Sequence, residues 1–135
     1  MPEQRGKYYV LPCEGAQIQQ IRFGGIIRLD FDFSGRNHLT LIGKFQIRNY
    51  TETFELQPDS KEALLFFYNL YATGILIEEA KADKDGRLFL TFSNKIELVM
   101  EEASECWEFS GPSKQKPYHV ASISGGLGYL DSWVI

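Results

Sequence analysis

The chain is short of the residues that most site chemistry needs. Its 135 residues include two cysteines, Cys13 and Cys106, and two histidines, His38 and His119. No His/Cys cluster has metal-ligand spacing, so a structural or catalytic metal is not expected. A Cys106–His119 nucleophilic pair has no local signature around it, and catalysis is not expected either. Positive charge is also scarce: 14 Lys and Arg stand against 18 Asp and Glu, a net charge of −4. A dedicated nucleic-acid binder would carry a basic excess. Long apolar runs are missing as well. The longest, Ala63 to Ala72, is broken by Asn69 and is far short of a membrane span. Met1 to Lys7 is polar and no apolar stretch follows, so no secretory signal is read. A reduced, cytoplasmic protein with no membrane partner is the expectation.

What the chain does have is apolar surface and repetition. Hydrophobic residues make up 44% and aromatics 14%, enough for a real core. Gly25-Ile26-Ile27-Arg28-Leu29-Asp30-Phe31 lines up with Gly86-Arg87-Leu88-Phe89-Leu90-Thr91-Phe92. The lead-ins also match: Gly15-Ala16-Gln17-Ile18 answers Gly74-Ile75-Leu76-Ile77. The predicted fold is α+β and mostly β, two pseudo-repeated antiparallel meanders with one central helix. The expected organisation is a single domain over 1–135, with repeat-like halves at about 15–56 and 74–109.

Local patterns fill in this plan. Ile27, Leu29, Phe31 and Phe33 alternate with Arg28, Asp30 and Asp32, which predicts a half-buried strand. Ile18, out of phase with Ile21 and Phe23, predicts a bulge. Leu39 to Ile47 and Thr51 to Leu56 read as two further strands. Pro58-Asp59-Ser60-Lys61-Glu62 announces a helix from about Ser60 to Tyr71, with Asp59 as its cap and Gly74 as its stop. Ala63, Leu64, Phe67, Leu70 and Tyr71 form its predicted core stripe. Leu65, Phe66 and Tyr68 lie off the stripe and are candidates for self-association.

Glycine-rich and acidic turns give no cofactor signal. Gly125-Gly126-Leu127-Gly128 lacks the helix and Lys-Ser/Thr sequel of a phosphate loop, and Asp83-Lys84-Asp85-Gly86 is too short for calcium. No cofactor is expected. From Ile96 to Ser113, however, Glu97, Glu101, Glu102, Glu105 and Glu108 occur without any Lys or Arg, interleaved with Trp107 and Phe109. Glu78, Glu79, Asp83 and Asp85 are expected to extend the same edge. Such a field favours capture of a basic protein partner and repels nucleic acid.

One further pattern is shared with a known group. Gly86-Arg87-Leu88-Phe89-Leu90-Thr91-Phe92, then Glu105-Cys106-Trp107-Glu108-Phe109-Ser110-Gly111-Pro112, then Gly125-Gly126-Leu127-Gly128 resembles a family of small bacterial proteins of unknown function. Its pattern is G-x-L-x-L-x-F, E-x-W-x-x-x-G-P and a Gly-rich tail. Glu105, Trp107, Gly111 and Pro112 match the middle element position by position. The resemblance spans about Gly15 to Leu130. Members resemble polymorphic-toxin immunity proteins in being short, single-domain and often acidic, and the family brings no catalytic residues. The resemblance implies an inhibitory role.

Two functions are expected from these features. The first is a cytoplasmic immunity protein that binds and neutralises a cognate bacterial toxin, a basic, nuclease-like one, through Glu97, Glu101, Glu102, Glu105, Trp107 and Glu108. The alternative is a non-catalytic structural or regulatory homodimer joined through Leu65, Phe66 and Tyr68.

Overall fold

Alternating apolar residues must pair as strands to bury one face, and this chain closes two sheets to do so. The computed structural model describes residues 4–101, 107–112, 120–126 and 129–134. A hairpin of β1 (Gln4–Arg5) and β2 (Tyr8–Val10) leads into a meander of β3 (Gln20–Phe23), β4 (Ile27–Asp30) and β5 (His38–Leu41). A hairpin of β6 (Phe45–Arg48) and β7 (Thr53–Leu56) follows, then helix α1 (Lys61–Thr73). A second meander, β8 (Ile77–Asp83), β9 (Leu88–Phe92) and β10 (Glu97–Met100), precedes β11 (Trp107–Pro112), β12 (Val120–Gly126) and β13 (Tyr129–Val134). The protein is thus α+β and mostly β, with a single helix among the described residues.

The strands form sheet I, in the order β1-β2-β8-β9-β10-β6-β7, and sheet II, in the order β13-β12-β11-β5-β4-β3. The two halves therefore exchange strands. The first meander is completed by β11 from the second half, and the second meander by β6 from the first. The stretch read as one strand from Leu39 to Ile47 is two, in different sheets. The chain leaves sheet II after Leu41 and enters sheet I at Phe45, turning through Ile42-Gly43-Lys44. The bulge expected at Ile18 is not in β3, which begins at Gln20. A register shift occurs instead in β8, between Ile77 and Glu79.

The internal repeat survives at atomic level. Ile27, Leu29 and Phe31 correspond to Leu88, Leu90 and Phe92, and all six are buried. Gly25 and Gly86 both have positive φ, +73° and +84°, as the turns before these paired strands require. The two lead-ins meet each other: Gln17 bridges Leu76, its own counterpart in the repeat, and the Ile77 amide donates to the Ala16 carbonyl at 2.9 Å.

Both sheets feed one core. Ile27, Leu29, Leu39, Leu41, Trp107 and Phe109 of sheet II join Phe45, Ile47, Leu88, Leu90, Phe92, Leu98 and Met100 of sheet I in a single buried cluster. Ala63, Phe67 and Leu70 of α1 belong to it as well. At roughly 1.5–3 kcal/mol per fully buried large apolar side chain, this cluster is the main favourable term in folding. Phe33, expected inside, is 82% exposed. Strand β4 stops at Asp30, and the connection to β5 turns away, with the Phe31 amide donating to Asn37 O at 2.8 Å.

Candidate functional site

The predicted acidic stretch is divided between the sheets. Leu98 and Met100 point into the core, so Glu97 and Glu101 stand on the outer face of sheet I. There Glu97 is the cross-strand partner of Arg48, and Glu101 Oε1 lies 3.6 Å from Arg48 Nη2. Glu108 lies between buried Trp107 and Phe109, on the outer face of sheet II opposite Thr40. Glu102, Glu105 and Cys106 lie outside the described residues. Three of the four supporting carboxylates also have cations beside them. Glu78 pairs with Lys95 at 2.8 Å, Glu79 with Lys81 at 3.5 Å, and nearly buried Asp83 with Arg87 at 2.6 Å. The bond to Glu78 is the main reason the Lys95 ammonium titrates above its usual range.

Trp107 requires a correction. Expected among the partner-binding residues, it is fully buried. Its indole Nε1–H donates to the Gly86 carbonyl at 2.8 Å, tying sheet II to the β8–β9 turn of sheet I. Gly111 of the same motif is equally structural: a Cβ there would come within 2.7 Å of Asn37 Oδ1 and 2.8 Å of Phe109 Cζ. The E-x-W-x-x-x-G-P pattern, as far as it is described, therefore encodes packing.

Helix α1 offers a different surface. Its cap is Ser60, not Asp59: the Ser60 side chain accepts from the Ala63 amide at 3.1 Å. Gly74 closes the helix with φ +69°, as expected. Ala63, Phe67 and Leu70 are buried, whereas Tyr71, expected in the stripe, is 43% exposed. Phe66 is not spare. It packs edge-on against Phe67 and Phe92, with ring centroids 5.1 and 6.0 Å away. Leu65 and Tyr68 are 55% and 57% exposed, and with Tyr71 they form an outward apolar row at i, i+3 and i+6. The Tyr68 and Tyr71 rings lie 6.1 Å apart.

The outer face of sheet II holds a polar cluster that sequence reasoning missed. Ile27, Leu29, Leu39, Leu41 and Phe109 point inward, so Arg28, Asp30, His38, Thr40, Glu108 and Ser110 share the opposite face. Arg22 joins them from β3, as the cross-strand partner of Arg28. Asp30 stands on this solvent side yet is 0% exposed, because two arginines cover it. Arg28 Nε donates to its Oδ1 at 2.7 Å and Arg22 Nε to its Oδ2 at 3.0 Å. Arg28 Nη2 also donates to Gly35 O at 2.7 Å. His38 Nδ1 lies 2.8 Å from the same carbonyl, which can only accept, so Nδ1 carries a hydrogen. In the loop above, burial pushes the Asp32 carboxyl up. Hydrogen bonds from the Ser34 hydroxyl and the Gly35, Asn37 and Ser34 amides outweigh this and hold it below its ordinary range. The available signal was Arg28-x-Asp30, which puts two opposite charges on one strand face.

An open cleft lies elsewhere, between the β6–β7 and β9–β10 turns, lined by Asn49, Tyr50, Thr51, Asn94, Lys95 and Ile96. Among the described residues no His, Cys, Asp and Glu grouping is suited to a metal ion. No helix among them is long and apolar enough to cross a membrane.

Comparison with known proteins places the chain by family alone. A family described as "Family of unknown function (DUF6188)" matches residues 9–129. No curated protein and no solved structure matches the chain.

Proposed function

Because the chain belongs to this family of unknown function, we propose its role from its own surfaces: a non-catalytic binding protein, acting as a cytoplasmic immunity protein that captures a cognate bacterial toxin. The observation that carries this reading is the outward row Leu65, Tyr68 and Tyr71 on α1. Tyrosine supplies large contact area at low entropic cost and is enriched among interface anchors. The row sits on a helix whose other face is locked into the core by Phe67 and Leu70, so it is held rigid before binding. Capture through this row neutralises the toxin by steric occlusion. Glu97 and Glu101, sharing their face with Arg48, contribute mainly to the rate of encounter with a basic partner.

The test is co-purification with the protein encoded by the adjacent gene, followed by rescue of cells expressing it. Tyr68→Ala is expected to weaken the complex by about thirtyfold, the loss typical of a central anchor. No complex at micromolar concentration together with no rescue sinks the proposal. The homodimer reading uses the same row and separates cleanly. Analytical ultracentrifugation of the wild type against Tyr68→Asp should show a monomer in both cases if the surface is kept for a toxin. A wild-type dimer that Tyr68→Asp dissolves establishes the alternative. Phe66→Asp is unsuitable here, because Phe66 packs on the core.

A further inference from the structure

The geometry points to an oxyanion-binding site formed by Arg22 and Arg28 on the outer face of sheet II, suited to a phosphate monoester or a carboxylate. It is independent of the α1 surface.

The argument starts from how the two arginines use Asp30. An arginine paired with a carboxylate frequently presents its two-pronged edge to both oxygens. Here each arginine gives Asp30 a single Nε–H, on opposite oxygens, at 2.7 and 3.0 Å. Asp30 is thereby paired on both oxygens and fully covered, while most of the guanidinium donors remain. Arg28 Nη2 donates to Gly35 O at 2.7 Å, which fixes that group's plane. Arg22 Nη1 and Nη2 and Arg28 Nη1 have no acceptor among the described residues, and the Arg22 side chain is 54% exposed.

The charge count points the same way. Two cations share one buried anion. The nearest other carboxylates are otherwise placed: Asp32 accepts from the Ser34 hydroxyl at 2.7 Å, and Glu108 stands beyond Thr40 in the cross-strand row Arg28–Thr40–Glu108. Around Asp30 itself, two guanidiniums face a single carboxylate. Gly35 has φ +74°, and a Cβ there would come 2.9 Å from Arg28 Nη2 and 3.5 Å from Arg22 Nη2. The bare glycine lets both guanidiniums close over the same point. An incoming oxyanion meets donors whose ordering cost has already been met by Asp30 and Gly35 O.

The test uses the full chain at constant ionic strength in chloride. Side-chain Nε–H and Gly35 amide signals are followed by NMR during titration with inorganic phosphate in one arm and acetate in the other. The expected result is saturable shifts at Arg22, Arg28 and Gly35. Arg22→Gln should weaken the affinity about tenfold or more, the effect of losing a hydrogen-bonding charged group. Lys44→Gln, which removes a cation from the connection between β5 and β6, should leave it unchanged. Saturation by phosphate alone assigns a phosphoryl ligand, by acetate alone a carboxylate, and by both an oxyanion site of either kind. Shifts that grow linearly without saturating, or that are unchanged in Arg22→Gln, overturn the proposal. Arg22 is the half-exposed member of the pair, so its variant should keep the fold. Matching amide spectra away from sheet II check this.

Discussion

At the scale of single residues, the decisive side chains are those whose surroundings invert their usual character. Trp107 carries a polar N–H into the core and satisfies it on a turn carbonyl of the other sheet. Trp107→Phe removes that donor, strands the Gly86 carbonyl and leaves a void. A loss of about 3 kcal/mol is expected, read as a lower denaturant midpoint with unchanged slope. A result within about 0.5 kcal/mol of wild type, the scatter of surface substitutions, shows the bond to be dispensable. Asp30 is the opposite case, a charge on the solvent side made inaccessible by its partners. Neither state was legible in the sequence. A tryptophan among glutamates reads the same whether its strand faces inward or outward. An aspartate alternating with apolar residues reads as solvated until Arg22, which reaches it diagonally from the neighbouring strand, is known.

At the scale of elements, alternation and turn chemistry located several strands, a reversal and the helix. The strand from Ile27, the reversal at Gly24-Gly25, the helix and its glycine stop all follow from period and backbone preference. The start of α1 was misplaced by one residue. Asp59 and Ser60 are both good caps, and only geometry decides between them. Ser60 has the extended backbone of a cap, φ −89° and ψ 152°, and its hydroxyl reaches the Ala63 amide. Ser60→Ala should therefore destabilise the protein by about 1 kcal/mol, while Asp59→Ala should change little. Thermal melts of the two variants side by side check the assignment, and the reverse order refutes it. The break at Ile42-Gly43-Lys44 was invisible for a related reason. Alternation continues across it, and nothing local says that the next strand pairs in the other sheet.

At the scale of the whole molecule, strand exchange between the halves is the governing fact. The internal repeat announced two similar units, and the structure keeps them, but neither unit completes a sheet by itself. Strand β5 needs β11, and β6 needs β10. The sequence could not reveal this, because pairing partners far apart in the chain leave no local period. A physical prediction follows. A protease site placed in the connection after Gly74 should yield two fragments that stay together on a sizing column, since the joint core and the interleaved sheets hold them. Separation of the fragments without denaturant excludes it.

The bridge between Gln17 and its own counterpart Leu76 marks the spot where such an assembly turns into itself. Helix α1 is the tether that carries the chain from one half to the other. Held in one chain, the two halves need not be alike. One has Arg28 and Asp30 on its outward face where the other has Phe89 and Thr91, so a single pattern gives the molecule two unlike sides.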